Sequence, residues 1–482
     1  MLIAVLAWAD YTVIAAFFAA MVATGIWYAR RQTAASFTGA DKSVPWWLAG
    51  ISFYMNSFSA LAFVMYSALA YRYGWVPVTV SWLSVPAVLL GARFLAVRWR
   101  RAAKKSPIDY IAERYTPGMC RTLAWLGLPM QLLDNAMKLL AIGTVVGVGL
   151  GFPLFWSICL SGCVIVLYSC LGGLKATLAC DFMQFFVVLA VVLVLPVLCL
   201  SRCGGFSGFL AGVPEGFFSP VAGRYDWAYM GVFFLVVGST LSTNWALVQR
   251  YYTTRSDREA KKMAYLVAAL LFLGPPLFFF PAMAARVFLA PVADAELNGV
   301  YALLCREVLP TGLMGLVVAA MFSATMSSLA GNINAAAAVL ADTLRRTGVW
   351  AVRVATVVVG GAIVALAFVM QYAQGADDLF NLSNKVFGVF LPPIAIPMIA
   401  GLFVRRLSRR SGLIGLVGGM AAGLALFALG AAHPALREMK PSFLATSAAT
   451  VAFLALGSWL FRDGGEDARV VDGFFRRLKG ER

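Results

Sequence analysis

Apolar runs of about 20 residues, each long enough to cross a hydrocarbon core of about 30 Å, recur from one end of this chain to the other. A chain so patterned folds as a bundle of membrane-spanning helices, with any polar island facing protein, an ion path or a water-filled cavity. Composition agrees. Of 482 residues, 61% are hydrophobic and 13% are charged, and the mean hydropathy is +0.82. Soluble domains carry roughly 25% charged residues, so a water-soluble fold is excluded.

Reading apolar runs against polar connectors predicts about thirteen spans. Their limits fall near 9–29, 46–74, 75–97, 121–150, 153–171, 179–200, 227–248, 262–287, 311–343, 350–372, 377–403, 411–431 and 441–461. No linker or low-complexity segment divides the chain, so residues 1–482 read as a single transmembrane domain.

The net charge of +17 would suggest nucleic acid in a soluble protein. Its placement argues for topology instead. Lys and Arg cluster at Arg30-Arg31, Arg98 to Lys105, Arg250 to Lys262, Arg345-Arg346, Arg405 to Arg410 and Arg469 to Arg482. Every second connector is therefore basic, as the positive-inside bias requires. No basic face with interleaved aromatics appears, which excludes a nucleic-acid partner. With an odd number of spans the N-terminus lies outside and the C-terminus in the cytoplasm, in the cell (inner) membrane. Asp10-Tyr11 precedes a full-length span without a basic region or cleavage site, so no cleavable signal is expected.

The eight Cys are scattered through apolar spans without metal-ligand spacing. They read as small hydrophobes, with a disulfide between Cys203 and Cys305 left open because both fall in connectors placed outside. His433, the sole histidine, sits beside Pro434 in a late connector and reads as a solvated loop residue.

Two spans are wrong for helices facing lipid. The second contains Met55-Asn-Ser-Phe-Ser-Ala60 and the seventh contains Gly238-Ser-Thr-Leu-Ser-Thr-Asn244. Each opens a run of five spans, the spacing expected if 46–200 and 227–403 are inverted repeats that each begin with a broken helix. Helix packing through small polar residues would explain either island alone. In the ninth span, Ser323, Ser327 and Ser328 place hydroxyls at i, i+4 and i+5, so Ser323 and Ser327 share one face. Hydroxyls and backbone carbonyls released by a broken helix are what a hard monovalent cation needs in place of its water shell.

The chain resembles the sodium/solute symporter family. The likeness is carried by Asp10-Tyr11, Trp46-Trp47 with Gly50-Ile-Ser52, and Pro107-Ile-Asp-Tyr-Ile-Ala-Glu-Arg-Tyr115. It continues through Gly172-Gly-Leu-Lys-Ala176 with Asp181 and Gln184, Gln249-Arg250-Tyr251, and Ala324-Thr-Met-Ser-Ser328 with Asp342. The resemblance implies an all-α membrane protein with a LeuT-like 5+5 inverted repeat, one extra N-terminal helix and two extra C-terminal helices. It implies a sodium-coupled symporter importing a small organic solute by alternating access. Sodium is then the coupling ion, with no other metal and no cofactor, and the protein works as a monomer.

Carried over by position, the family's sodium site uses the backbone carbonyls of Met55, Phe58 and Ala324 with the hydroxyls of Ser327 and Ser328. Asp181 stands where the family has an acid on the ion pathway, although pairing with Lys175 would also account for it. The solute positions are Ser57, Ser59, Ala62, Ser81, Ser84, Thr240 and Asn384. Ala62 and Ser81 replace the Gln and Glu of the sugar-transporting branch, so a sugar would not be held in the same way. In the fourth span Asp134 and Lys138 lie one turn apart, where a mutual salt bridge is expected. Some relatives hold a second sodium with hydroxyls that align with Ala330 and Gly331, so one sodium per solute is expected.

An enzyme would need a nucleophile, metal cluster or acid/base pair in a cavity, and none is apparent. A solute sensor using the same fold would need a separate signalling partner, because the tail after Phe461 has no room for a signalling module.

Overall fold

In the computed structural model the chain is helical almost throughout, with two isolated bridges, Val44 to Thr254 and Ala222 to Tyr225, among the described residues. The structure describes all residues except 1–5, 30–40, 58, 60–61, 104–105, 151–152, 294–296, 298, 311, 347, 374–378, 431–432, 434–437 and 482. Of 62, 144–150, 168, 172, 372–373 and 379–386 it describes the backbone alone. Among the described residues nine helices are long and apolar enough to cross a membrane, or ten when one pair bent by 52° counts as a single span.

Helix α1 (Trp8–Ala29) opens the chain and α2 (Trp46–Asn56) follows. A π-helical turn, Ala62–Tyr66, leads into α3 (Ser67–Tyr73). Helices α4 (Val76–Trp82), α5 (Ser84–Leu90) and α6 (Ala96–Ala102) form one span with the π-helical turn Gly91–Leu95 inside it. After the short α7 (Tyr110–Arg114) come α8 (Pro117–Leu150) and α9 (Leu154–Arg202). The expected fifth and sixth spans form as Leu154–Leu171 and Gly173–Arg202, the two arms of α9 on either side of a bend at Gly173, whose φ of 52° and ψ of −168° suit only a residue without Cβ. The second half of the molecule begins with α10 (Gly205–Gly212), α11 (Trp227–Thr243) and α12 (Trp245–Thr253). It continues with α13 (Asp257–Phe288), α14 (Val300–Val308), α15 (Leu313–Thr343), α16 (Val349–Ala373) and α17 (Leu379–Phe403). Helices α18 (Ser411–Leu429), α19 (Met439–Leu460) and α20 (Gly465–Lys479) complete it.

Both polar islands coincide with helix ends. At the first, α2 stops at Asn56; the Ser57 N–H donates to the Tyr54 carbonyl (3.0 Å) and its hydroxyl to the Phe53 carbonyl (2.8 Å). The regular i→i−4 ladder therefore ends at Asn56, with the Ser57 N–H and hydroxyl satisfying two of the last-turn carbonyls. At the second, Asn244 leaves helical geometry with ψ of 127°. Its N–H closes α11 on the Thr240 carbonyl (2.8 Å), and its Oδ1 accepts from the Leu247 N–H (3.2 Å) to cap α12. An Asn serves there because its side chain satisfies an N–H that the new helix cannot.

Helix α15 is the axis of the molecule. It packs on α1, α2, α8, α9, α12 and α16, and 83% of its most apolar stretch is buried. Its run of Ala, Ser and Gly lets neighbours approach closely, the usual means of helix association without a hydrophobic drive. Asp10 fixes α1 to its start, accepting the Gly315 N–H at 2.7 Å through Oδ1 and the Ala7 N–H at 3.0 Å through Oδ2.

Basic connectors meet on one face. Asp257 accepts Arg100 (2.9 Å) and Arg101 (2.6 Å), and Asp472 on α20 accepts Arg405 (2.6 Å). Helix α20 itself departs from the expectation of a plain tail. Val471, Phe474 and Leu478 bury one face of it, a helical spacing that the sequence already carries. The Cys203–Cys305 bridge is absent: all eight cysteines are free thiols, and Cys203 Sγ faces the Ala284 carbonyl at 3.6 Å. Cys203 closes the end of α9 and Cys305 is buried in α14, so neither occupies an exposed connector.

Candidate functional site

A buried polar cluster joins four helices at the first helix break. Asp181, on α9 beyond the Gly173 bend, has no exposed surface. Its Oδ2 accepts the Ser52 hydroxyl of α2 in a short hydrogen bond and lies 3.3 Å from Asn56 Nδ2. Asn56 Nδ2 also reaches the Ser52 carbonyl (2.8 Å) and Ser327 Oγ on α15 (3.1 Å). From α12, Arg250 donates through Nε to Ser52 Oγ (3.1 Å) and places Nη2 3.7 Å from Asp181 Oδ2. The Ala246 carbonyl (2.9 Å) and Gln249 Oε1 (3.4 Å) hold Nη1.

Arg250 corrects one expectation and Lys175 another. Arg250 does not begin a solvated connector; it is wholly buried as the counter-charge of Asp181. Lys175 pairs with Asp41 at 2.5 Å rather than with Asp181. A carboxylate in a low-dielectric interior needs such a partner, and Arg offers it without losing its own charge.

Gly331 makes room for this cluster. A Cβ there would lie 2.0 Å from Asn56 Oδ1 and 3.0 Å from Arg250 Nη2. Asn332 and Asn334 turn elsewhere, their Nδ2 groups donating to Asn135 Oδ1 and Thr177 Oγ1, each at 2.9 Å. Ser323 returns its hydroxyl to the Ala319 carbonyl (2.7 Å). Three oxygens of the cluster have no hydrogen-bond partner among the described residues: Asp181 Oδ1, Asn56 Oδ1 and Ser328 Oγ. Buried polar atoms left in that condition call for a ligand or a functional reason.

Beside the cluster opens a cavity of about 320 Å³. Ser57, Ser59, Ser81, Ser84 and Thr240, all nominated for solute, line it, together with Asn56 and Ser328. Phe58 lies outside the described residues, and Ala62 and Asn384 are described in backbone only. Met55 and Ala324 are buried in α2 and α15. The sequence did not nominate Tyr54, Gln131 or Asn244, which also line the cavity. Asn244 belonged to the second polar island, so its signal was present but unassigned. The expected pair forms: Lys138 Nζ lies 2.7 Å from Asp134 Oδ2, and both side chains border the same cavity. Phe233, Val236, Leu271, Phe279 and Leu391 supply an apolar wall opposite the hydroxyls. No group of three or more His, Cys, Asp or Glu placed to hold a metal ion occurs among the described residues.

The chain has relatives in sequence and in fold. The sodium:solute symporter family model matches residues 37–419. The sodium/glucose cotransporter of Vibrio parahaemolyticus is 25% identical over 517 aligned residues, spanning 98% of this chain and 94% of that protein. The sodium/sialic acid symporter SiaT of Proteus mirabilis (strain HI4320) is 24% identical, spanning 86% of this chain and 89% of its own. A solved Na+-coupled sialic acid symporter, in a substrate-bound outward-open state, superposes with a TM-score of 0.84 over 95% of this chain and 99% of that one. At 20% identity that likeness speaks to the fold.

Proposed function

The chain belongs to the sodium:solute symporter family, and from that premise we propose how its residues divide the work of sodium-coupled solute transport. It is a multi-pass membrane transporter and not an enzyme. Sodium binds at the break after α2, held by the carbonyls of Met55, Phe58 and Ala324 and the hydroxyls of Ser327 and Ser328. Solute binds in the adjoining cavity against Ser57, Ser59, Ser81, Ser84 and Thr240, and Ala62 and Asn384 belong to the same proposed solute site. Sodium completes the end of the broken helix and so favours the conformation that closes over solute, which is coupling by differential binding.

The observation that carries this reading is Ser328 Oγ. It is a buried hydroxyl with no hydrogen-bond partner among the described residues, on the cavity wall one residue from Ser327. A sodium ion would satisfy it, and solute bound beside it would sense whether the ion is there. Asp181 serves the ion's passage without being one of its resting ligands. Gly331 and Ala330 bring no side-chain oxygen, and Asn56 and Arg250 crowd the Gly331 side of Asp181. This favours one sodium per solute.

The solute itself is small and hydroxyl-bearing. Relatives are named for glucose and for sialic acid, and the cavity sets a polar rim against an apolar wall, as small-molecule sites do. The Asp134–Lys138 pair adds no net charge, which suits a neutral or zwitterionic solute better than a simple anion. Thirteen membrane helices, with repeats at 46–200 and 227–403, one added N-terminal helix and two added C-terminal helices, fit the breaks at Asn56 and Asn244. The protein acts as a monomer within one domain, in the inner membrane, N-terminus outside and C-terminus in the cytoplasm.

Purified protein in liposomes, loaded without sodium and diluted into sodium or potassium, tests the reading. Uptake of a labelled solute should require external sodium and collapse with a sodium ionophore. Saturable sodium-dependent binding without accumulation would instead identify a sensor.

A further inference from the structure

A second cavity, of about 640 Å³, lies between the end of α6, the end of α17 and the amphipathic helix α20. Its charge is lopsided. Arg405 is matched by Asp472 at 2.6 Å, Arg101 by Asp257 at 2.6 Å and Lys479 by Glu481 at 3.9 Å. Among the described residues no carboxylate pairs with Arg93, Arg98, Lys261 or Arg476, which also line it. Four unmatched cations facing one space repel one another unless an anion enters.

The cavity also has an apolar side. Phe94 and Phe403 line it while 47% and 38% of their surfaces remain exposed. The Arg98 guanidinium sits 4.2 Å over the Phe403 ring and donates Nη1 to the Phe94 carbonyl (2.9 Å). The Arg93 guanidinium lies 5.5 Å over the Phe94 ring. The aromatic rings therefore hold two guanidinium groups at the boundary between apolar and polar surroundings. Guanidinium forks recognise phosphate oxygens through paired N–H donors. A basic pocket between membrane helices, roofed by an amphipathic helix and floored by aromatics, has the chemistry of an acidic headgroup joined to acyl chains.

We propose that this cavity binds the phosphate of an anionic phospholipid, its acyl chains lying against Phe94 and Phe403. The bound lipid links α6, α17 and α20, and α20 is held to the membrane through it. The site is separate from the sodium and solute cavity and shares no lining residue with it.

Native mass spectrometry of the full chain in neutral detergent, offered phosphatidylglycerol or phosphatidylcholine, tests this. The unmodified protein should retain phosphatidylglycerol in preference. The triple variant Arg93→Gln, Arg98→Gln, Arg476→Gln should retain it at least about tenfold more weakly, with phosphatidylcholine unchanged. If that variant gives no cooperative thermal transition, Lys261→Gln carries the same test with about a threefold loss expected. Equal retention of both lipids, or undiminished phosphatidylglycerol on the folded variant, overturns the proposal. So does full displacement by equimolar inorganic phosphate, which would make the cavity a site for a soluble anion.

Discussion

Asp181 Oδ2 and Arg250 Nη2 lie 3.7 Å apart, and the Ser52 hydroxyl bridges them by donating to the acid and accepting from the guanidinium. The acid comes from α9, the base from the helix that follows the second break, and the hydroxyl from the helix that precedes the first. One buried ion pair, bridged by Ser52, thus ties both broken elements to α9. Removing either charge leaves the other uncompensated, which typically costs about 3–5 kcal/mol, whereas replacing both is often neutral.

Asp181→Asn should therefore lower both stability and turnover, with solute affinity changing less. Initial uptake rates should fall by about tenfold or more while the KM for solute stays within about threefold. Adding Arg250→Gln should recover part of the lost thermal stability without recovering transport. Full transport by Asp181→Asn alone would reduce the acid to a packing role.

Replacing Ser327 and Ser328 together by Ala removes two of about five proposed sodium oxygens. Sodium should then cease to stimulate uptake at concentrations that saturate the unmodified protein. Ser328→Ala alone should weaken sodium activation yet cost little stability, because that hydroxyl has no hydrogen-bond partner among the described residues. Unchanged sodium dependence in the double variant would move the site elsewhere.

At Gly331 a methyl group would meet Asn56 Oδ1 at 2.0 Å. Gly331→Ala should accordingly cost about 1–3 kcal/mol, the usual penalty of overpacking, and slow transport by displacing Asn56 from Asp181 and Ser327. Scanning calorimetry and uptake on the same preparation would show both effects. A variant as stable and active as the parent would mean that the cluster relaxes freely.

With a neutral solute, reversal potentials should fit one coupled cation, and the sodium Hill coefficient should stay near one. One charge crossing 100 mV contributes about 2.3 kcal/mol, and a second would roughly double that leverage. A two-cation fit would reveal a further site near Asp181.

Reporter fusions should place the C-terminus in the cytoplasm. A fusion after Lys479 that is active only in the periplasm would reverse the proposed topology and put the second cavity on the outer face.

The helices were legible from hydropathy because a bilayer leaves the backbone little choice. Island residues such as Asn56 and Asn244 marked both breaks for the same reason. The ion pair was not legible. Arg250 sits at the end of an apolar run and opens a basic stretch, so a linear reading places it in solvent. Only the packing of α12 on α2 and α15 brings it to Asp181. Lys175 was the nearer partner along the chain but faces Asp41. Helix α20 is a 15-residue amphipathic helix, a pattern that leaves no apolar run of about 20 residues in that part of the sequence. The cavity followed the hydroxyls that the sequence singled out, yet Gln131 and Tyr54 joined it through tertiary contacts with no local signature.

The bend at Gly173 gives the acid a lever arm. Asp181 lies eight residues beyond it, about 12 Å along the axis at the helical rise of about 1.5 Å per residue. A swing of about 10° at the bend carries Asp181 through about 2 Å, enough to stretch its contacts with Ser52 and Asn56 beyond hydrogen-bond range. The first arm packs tightly on α16 through Gly162 and Gly360, so any tilt of that arm would bear on the contacts of Asp181 with Ser52 and Arg250 through a single glycine.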